Sequence, residues 1–280
     1  MDELYDSTGN NPSPAKGSNI TVENKCNFAC TIMSWNIHSL KRRYHDVLFY
    51  AKRENPAIVC LQEALHNHHS YRISGYTKYE HDTQQGLVTY INNRLPHEHI
   101  RNNDNLGEND GNTYILFKIN LKDHPFYICN IYIESNKFDE ERLPDPLIYE
   151  DIIFAGDFNA KHESLSPPDK KITNCNGRKF LPFTMGNNIK ILGPRLATHL
   201  LGGRLDYIIA GGLPDAKFDF RRLDTMVSDH WALECTVSLN LDIPPPHERR
   251  RINIPVEYVA LFRSFMSGTF RSEKMYKLKG

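Results

Sequence analysis

Asp151–Ala160 reads D-I-I-F-A-G-D-F-N-A, and the fold turns on how that stretch is taken. The run from Ile152 to Ala155, with its two isoleucines, has the make-up of a short buried strand. Gly156 then lets the backbone turn, and Asp157 and Asn159 follow at the strand's end. In an extended chain, side chains two positions apart project to the same side, so this acid and this amide are expected to face one ligand together. A carboxylate holds a cation or takes a proton from water, and an amide donates to a phosphate oxygen; the pair suits phosphate chemistry. A strand ending in a polar turn explains the same residues without any chemistry, so the rest of the chain decides.

Upstream, T-I-M-S-W-N-I from Thr31 is strand-like and ends its strand at Asn36. Tyr44, Val47, Leu48 and Ala51 fall at helical spacing and predict a helix that stops before Pro56. A-I-V-C-L-Q-E is then a buried strand ending at Glu63, which makes a strand–helix–strand crossover. Gly86–Asn92 and Thr113–Leu121 read as further strands, and Phe126–Ile133 pairs with the latter through a short turn. Downstream, a brief helix is expected over Asn176–Met185 despite Pro182, then strands over Ile189–Leu192, Leu205–Ile209 and Trp231–Leu239. In the last, Trp231, Leu233, Cys235, Val237 and Leu239 alternate onto one face. Many strands with few helices imply sheet packed on sheet with helices outside.

Composition bounds the rest. At 280 residues and 40% hydrophobic, the chain can bury a substantial core. No run of about 18 apolar residues exists, so no membrane partner is expected. The polar start lacks a signal-peptide core and the six cysteines lack paired close spacings, which reads as reduced thiols in an intracellular protein. Cys26 and Cys30 have no matching second pair for zinc. Lys plus Arg equals Asp plus Glu at 34 each, so net charge neither supports nor excludes a nucleic-acid partner. Residues 1–27 are expected to be disordered, 28–242 to form the folded domain, and 243–280 to be a Pro/Arg-rich linker with a basic tail. From His247 on, that tail holds eight Lys or Arg against three Glu.

Residues able to do phosphate chemistry recur where strands end: Asn36, Glu63, Asp157 with Asn159, Asp206, and Asp229 with His230. Loops at one edge of a sheet are where active sites are built. W-N-I at 35–37, L-Q-E at 61–63, Tyr132 after a strand, G-D-F-N-A at 156–160, R-L-D-Y at 204–207 and S-D-H at 228–230 resemble, in order, the exonuclease III / apurinic endonuclease / DNase I superfamily. Within it the chain looks most like the endonuclease domain of non-LTR retrotransposons, through G-D-F-N-A-K-H at 156–162, N-G-R-K-F-L at 176–181, A-T-H at 197–199 and V-S-D-H at 227–230. It departs from the pattern at Glu134, where the superfamily has proline, and in the short interval from Tyr132 to Gly156.

The resemblance implies a four-layer α/β/β/α sandwich of two packed mixed sheets flanked by helices. It implies Mg²⁺, with Mn²⁺ as a substitute, on Glu63 helped by Asn36 and Asp229. It implies Asp157, Asn159, Tyr132, Asp206 and His230 as catalytic residues, His230 being oriented by Asp206, with the base either Asp157 or His230. The implied product is a nick in double-stranded DNA with 3′-hydroxyl and 5′-phosphate ends. In a retroelement that hydroxyl primes reverse transcription, so a reverse transcriptase is the expected partner and the nucleus the place of action. Arg178, Lys179, Arg204 and Thr198 are candidate DNA contacts. His66, His68 and His69 are either a transition-metal site or a solvated loop. The other readings are an apurinic-site repair enzyme, another phosphodiesterase of the same fold, and a silent nucleic-acid-binding derivative.

Overall fold

The computed structural model describes residues 25–65, 70–103, 111–121, 124–225 and 227–242, and Lys25–Asp242 form a compact unit. The expectations for residues 1–24, for His66, His68 and His69, and for the tail beyond 242 lie outside the described residues.

Two six-stranded mixed sheets carry the fold. The first runs β11 (Lys217–Arg222), β12 (Leu233–Asp242), β1 (Lys25–Asn36), β2 (Ile58–Gln62), β4 (Leu87–Asn92), β3 (Tyr76–His81). The second runs β5 (His97–Asn102), β6 (Asn112–Ile119), β7 (Phe126–Ile133), β8 (Ile152–Asp157), β10 (Asp206–Gly211), β9 (Lys190–Ile191). β1 and β2 are parallel, joined by helix α1 (Leu40–Glu54); β7 and β8 are also parallel, joined through a single short 3₁₀ turn at Glu140–Arg142. α1 ends where expected: Asn55, in the left-handed region, donates its N–H to Ala51 O, and Pro56 follows.

Strand alternation sorts the apolar residues into three cores. Ile32, Ile58, Cys60 and Ile91 from one sheet meet Phe117, Ile128, Ile153 and Ile208 from the other in the central core. The opposite face of the first sheet (Met33, Trp35, Val59, Leu61, Val88, Tyr90) packs on Leu40, Val47, Tyr50 and Ala51 of α1. The outer face of the second (Leu116, Cys129, Ile131, Phe154) packs on Phe180 and Phe183 of helix α2 (Cys175–Gly186). The layers are therefore α/β/β/α, as expected. Leu233, Cys235, Val237 and Leu239 alternate into the central core; Trp231 precedes β12 and stacks under the Arg222 guanidinium at 4.5 Å instead.

Three edge strands, β3, β5 and β11, were not expected: β3 and β5 are mostly polar on both faces, and β11 offers only Phe218 and Phe220 between charged residues. Gly156 also has a different purpose from the one expected. It lies inside β8, where a Cβ would sit 1.8 Å from the Ile131 carbonyl of β7, so glycine is there for close strand approach and not for a turn.

Candidate active site

The inward rows of the central core change from apolar to polar at one end of the sandwich. On β1 the row is Ile32, Ser34, Asn36; on β2, Ile58, Cys60, Gln62; on β7, Ile128, Asn130, Tyr132; on β8, Ile153, Ala155, Asp157. β10 runs the other way and starts at that end with Asp206. Register completes the grouping: Tyr132 lies opposite Asp157, and Asp157 opposite Asp206. The short Tyr132–Gly156 interval and Glu134 thus leave Tyr132 beside Asp157.

Asn36 joins the two sheets. It is 1% exposed, and its Nδ2 donates to Glu63 Oε1 and to Asp157 Oδ2, both at 2.9 Å. An amide between two carboxylates must present its nitrogen to both. Its Oδ1 accepts from His38 N, while Glu63 Oε2 meets His38 Nδ1 at 2.9 Å. Glu63 holds a left-handed backbone, φ 50°, just past the end of β2, a strained conformation of the kind found at functional turns. The Tyr132 hydroxyl pKa is raised by burial, then by the charges of Glu63 and Asp157 and by a hydrogen bond to Glu63.

His230 is fixed at every polar atom but one. Its N–H donates to Ser228 Oγ, its carbonyl accepts from Trp35 Nε1, and Nδ1 donates to Asp206 Oδ2 at 2.8 Å. Nε2 is left without a partner among the described residues. Burial opposes its charge, but the Asp206 carboxylate outweighs it and pushes the imidazole up to about 10. Asp206 is in turn held by Thr198, whose hydroxyl accepts the N–H groups of Leu205 and Asp206. Asp157, 1% exposed, is pushed up to about 7 by burial first and by Asp206 second, against the pull of His230.

The remaining expected residues are placed differently. Asn159 does not share a strand face with Asp157: the strand ends at Asp157, Asn159 is left-handed (φ 47°), its N–H caps Asp157 Oδ1 and its Nδ2 donates to Ile133 O. Asp229 is half exposed, with its carboxylate toward Ser228 Oγ and 3.5 Å from His199 Nε2. Ser228 Oγ also donates to Asn36 O, which brings Asp229 to the Asn36 end of β1. Among the described residues, the His/Asp/Glu groups close enough to share a cation are Asp157–Asp206–His230 and His199–Asp229–His230.

Two expected DNA contacts are corrected. Arg204 is 2% exposed, donates to the carbonyls of Leu192 and Pro194, and stacks on Tyr207 at 4.6 Å. Thr198 is equally buried and serves Asp206. Arg178 and Lys179 are exposed on α2, in a hollow shared with Asp139, Glu140 and Glu141, and Lys179 Nζ donates to Phe138 O.

Sequence reading missed the polar layer beneath the site. Gln62 Nε2 donates to Asn130 Oδ1 across the sheets, and Asn130 Nδ2 to Thr89 Oγ1 and Val88 O, all fully buried. The signal was available as polar residues inside otherwise apolar strands, one alternation step before Tyr132 and next to Glu63. Asn176, also fully buried, bonds Glu134 O, Phe158 O and Phe138 N, tying α2 to the segments after β7 and after β8.

A domain of two packed sheets with buried carboxylates, a carboxylate-held imidazole and an amide bridge at one rim is the architecture of a phosphoester-cleaving enzyme class. Residues 33–230 match the model of the Endonuclease/Exonuclease/phosphatase family, and the chain belongs to that family, whose members are nucleases and phosphodiesterases. No curated protein matches the chain. Among solved structures it is similar to the AP endonuclease LMAP of Leishmania major (18% identity, 77% of this chain and 88% of that one, TM-score 0.58). It is also similar to the endonuclease domain of TRAS1, a telomere-specific non-LTR retrotransposon (16%, 75% and 98%, TM-score 0.60). A third similar structure is D. rerio TDP2 complexed with single-strand DNA product (15%, 75% and 98%, TM-score 0.55). At these identities the likeness is one of fold. Among the described residues no helix is long and apolar enough to cross a membrane.

Proposed function

We propose that this protein is a Mg²⁺-dependent endonuclease that nicks double-stranded DNA to leave 3′-hydroxyl and 5′-phosphate ends, as the target-nicking domain of a non-LTR retrotransposon. The observation that carries the chemistry is the buried Asp206–His230 pair with its free Nε2, set beside the buried Asp157 carboxylate. Asp206 keeps the proton on Nδ1 and the charge on the ring, so Nε2–H donates to a non-bridging oxygen of the scissile phosphate. Asp157 takes the proton of the attacking water: its carboxyl titrates near neutrality, where a general base is effective. The backbone N–H of Asn159 and the amide of Asn36 hold that carboxylate still. The Tyr132 hydroxyl, kept protonated, and the second hydrogen of Asn159 Nδ2 donate to the developing charge.

Glu63, Asp229 and the Asn36 Oδ1 are all oxygen donors, the chemistry a hard cation takes, and they would hold Mg²⁺ or Mn²⁺. When bound, the ion offsets charge on the phosphoryl oxygens.

The retroelement assignment is supported by the G-D-F-N-A-K-H, A-T-H and V-S-D-H stretches and by the fold shared with the TRAS1 endonuclease domain. On this reading a reverse transcriptase uses the 3′-hydroxyl, and the protein acts in the nucleus.

Incubation of undamaged supercoiled plasmid with protein and Mg²⁺ is expected to give open circles that DNA ligase reseals directly. EDTA or His230→Ala is expected to abolish them. Cleavage confined to abasic plasmid would replace the retroelement reading with a repair one, and wild-type nicking by folded His230→Ala would remove the mechanism.

A further inference from the structure

We propose that Lys161 and Lys170 form a two-ammonium seat for a backbone phosphate flanking the scissile one, laid on the glycine pair Gly202–Gly203. The proposal rests on the nuclease reading and adds to it where the strand is gripped. Both lysine stems lie along the same turn. A Cβ on Gly203 would be 2.9 Å from Lys161 Cε, and one on Gly202 would be 2.7 Å from Lys170 Cε. Any other residue pair at 202–203 would push the stems off; Gly202 is left-handed as well (φ +83°). The glycines therefore make a bed for the two side chains.

That bed is joined to the catalytic histidine by two short steps. Gly202 N–H donates to His199 O at 2.8 Å, and the N–H groups of Thr198 and His199 both donate to Gly203 O. The His199 ring then meets His230 edge-on, centroids 4.7 Å apart at 85°. The glycine bed under the two lysines thus adjoins, through His199, the imidazole assigned to the scissile phosphate.

The protein supplies these two cations with little counter-charge. Lys161 has no carboxylate partner among the described residues. Lys170 has only Asp169, at 4.0 Å and well exposed. The nearby arginines are committed elsewhere, Arg204 inward to carbonyls and Arg195 to the carbonyls of Ser166 and Glu163. A polyanion laid over this turn is attracted by both ammonium groups. Phosphates repeat along a strand every ~3.4 Å of helix axis, so a strand engaged at His230 brings its neighbours to such a pair. Lysine is a point charge on a flexible stem and reads phosphate without reading sequence.

The test measures binding of a short fluorescein-labelled duplex in EDTA, where it stays uncut, across about 50–200 mM KCl. Lys161→Met and Lys170→Met keep the stems and remove the charges; Lys52→Met on α1 is the control. Each seat variant is expected to reduce the slope of log affinity against log salt by about one, and the pair to weaken binding by roughly 20-fold or more at low salt, equally for unrelated sequences. Thermal midpoints show whether the variants are folded. Wild-type slope and affinity in a folded double variant would overturn the seat alone. Failure of the wild type itself to bind DNA would overturn the nuclease reading and the seat with it.

Discussion

Asp157 and His230 face opposite demands. The chain buries a carboxylate and an imidazole a few ångströms from a third ionisable group, Asp206, which acts on both charges. His230 becomes a cation because Asp206 is its hydrogen-bond partner; Asp157 becomes reluctant to ionise first because it is buried and second because Asp206 is across the strand from it. A carboxyl whose folded value exceeds its unfolded one, near 3.8, contributes fully below that pH, and its contribution is lost as pH rises through about 7. Asp157→Asn removes this loss. In EDTA its thermal midpoint is expected to exceed that of the wild type by about 2–6 °C above pH 7, with the difference vanishing toward pH 4. The same variant is expected to lose nicking by about 10³-fold, since the amide accepts no proton. A midpoint lower than wild type across the whole range would show that Asp157 is a structural ion and not a strained base.

Among the elements, β7 and β8 set the site's geometry, because their parallel register puts Tyr132 next to Asp157 and their close approach depends on Gly156. Gly156→Ala places a Cβ 1.8 Å from a backbone oxygen that cannot retreat without breaking the ladder; loss of soluble folded protein is expected. If Gly156→Ala instead folds with wild-type stability, β7 and β8 are not as close as the structure has them. Arg204 makes a similar case. Arg204→Met is expected to cost about 3 kcal/mol or more in urea unfolding, through two orphaned carbonyls, while duplex affinity per folded molecule stays at the wild-type level. A selective loss of binding with unchanged stability would restore it as a DNA contact.

The same elements show what the sequence made legible. The central strands announced themselves as apolar runs, since both of their faces are buried, and the acids at their ends marked the site. β3 and β5 have too few apolar residues on either face to show a period-two signal, and in β11 the signal is confined to Phe218 and Phe220 in a six-residue run. Arg204 and Thr198 were misplaced for a physical reason: a polar residue beside a loop reads as outward, and only the fold shows that Leu192, Pro194 and the Asp206 N–H stand ready to receive it. Asn159 was expected on the face of Asp157 by strand alternation, and the left-handed turn after Asp157 supplied a backbone N–H there instead.

At the scale of the molecule, the site spans almost the whole domain, from Asn36 to His230, so its assembly depends on closing the first sheet around β1. That strand is pinned on one side by β2 and on the other by β12, in a ladder from Lys25↔Asp242 to Ser34↔Leu233. β12 contributes Leu233, Cys235, Val237 and Leu239 to the central core yet holds no residue of the proposed chemistry. A chain ended after Ala232 keeps every catalytic and metal-binding candidate but exposes one whole edge of β1 and opens the central core. Four buried apolar side chains at about 1.5–3 kcal/mol each exceed the margin on which a domain of this size is stable. The truncated protein is expected to show no cooperative urea transition and no nicking. A folded, active fragment ending at Ala232 would mean that the site is organised by β1, β2 and the second sheet alone, with the last strand dispensable.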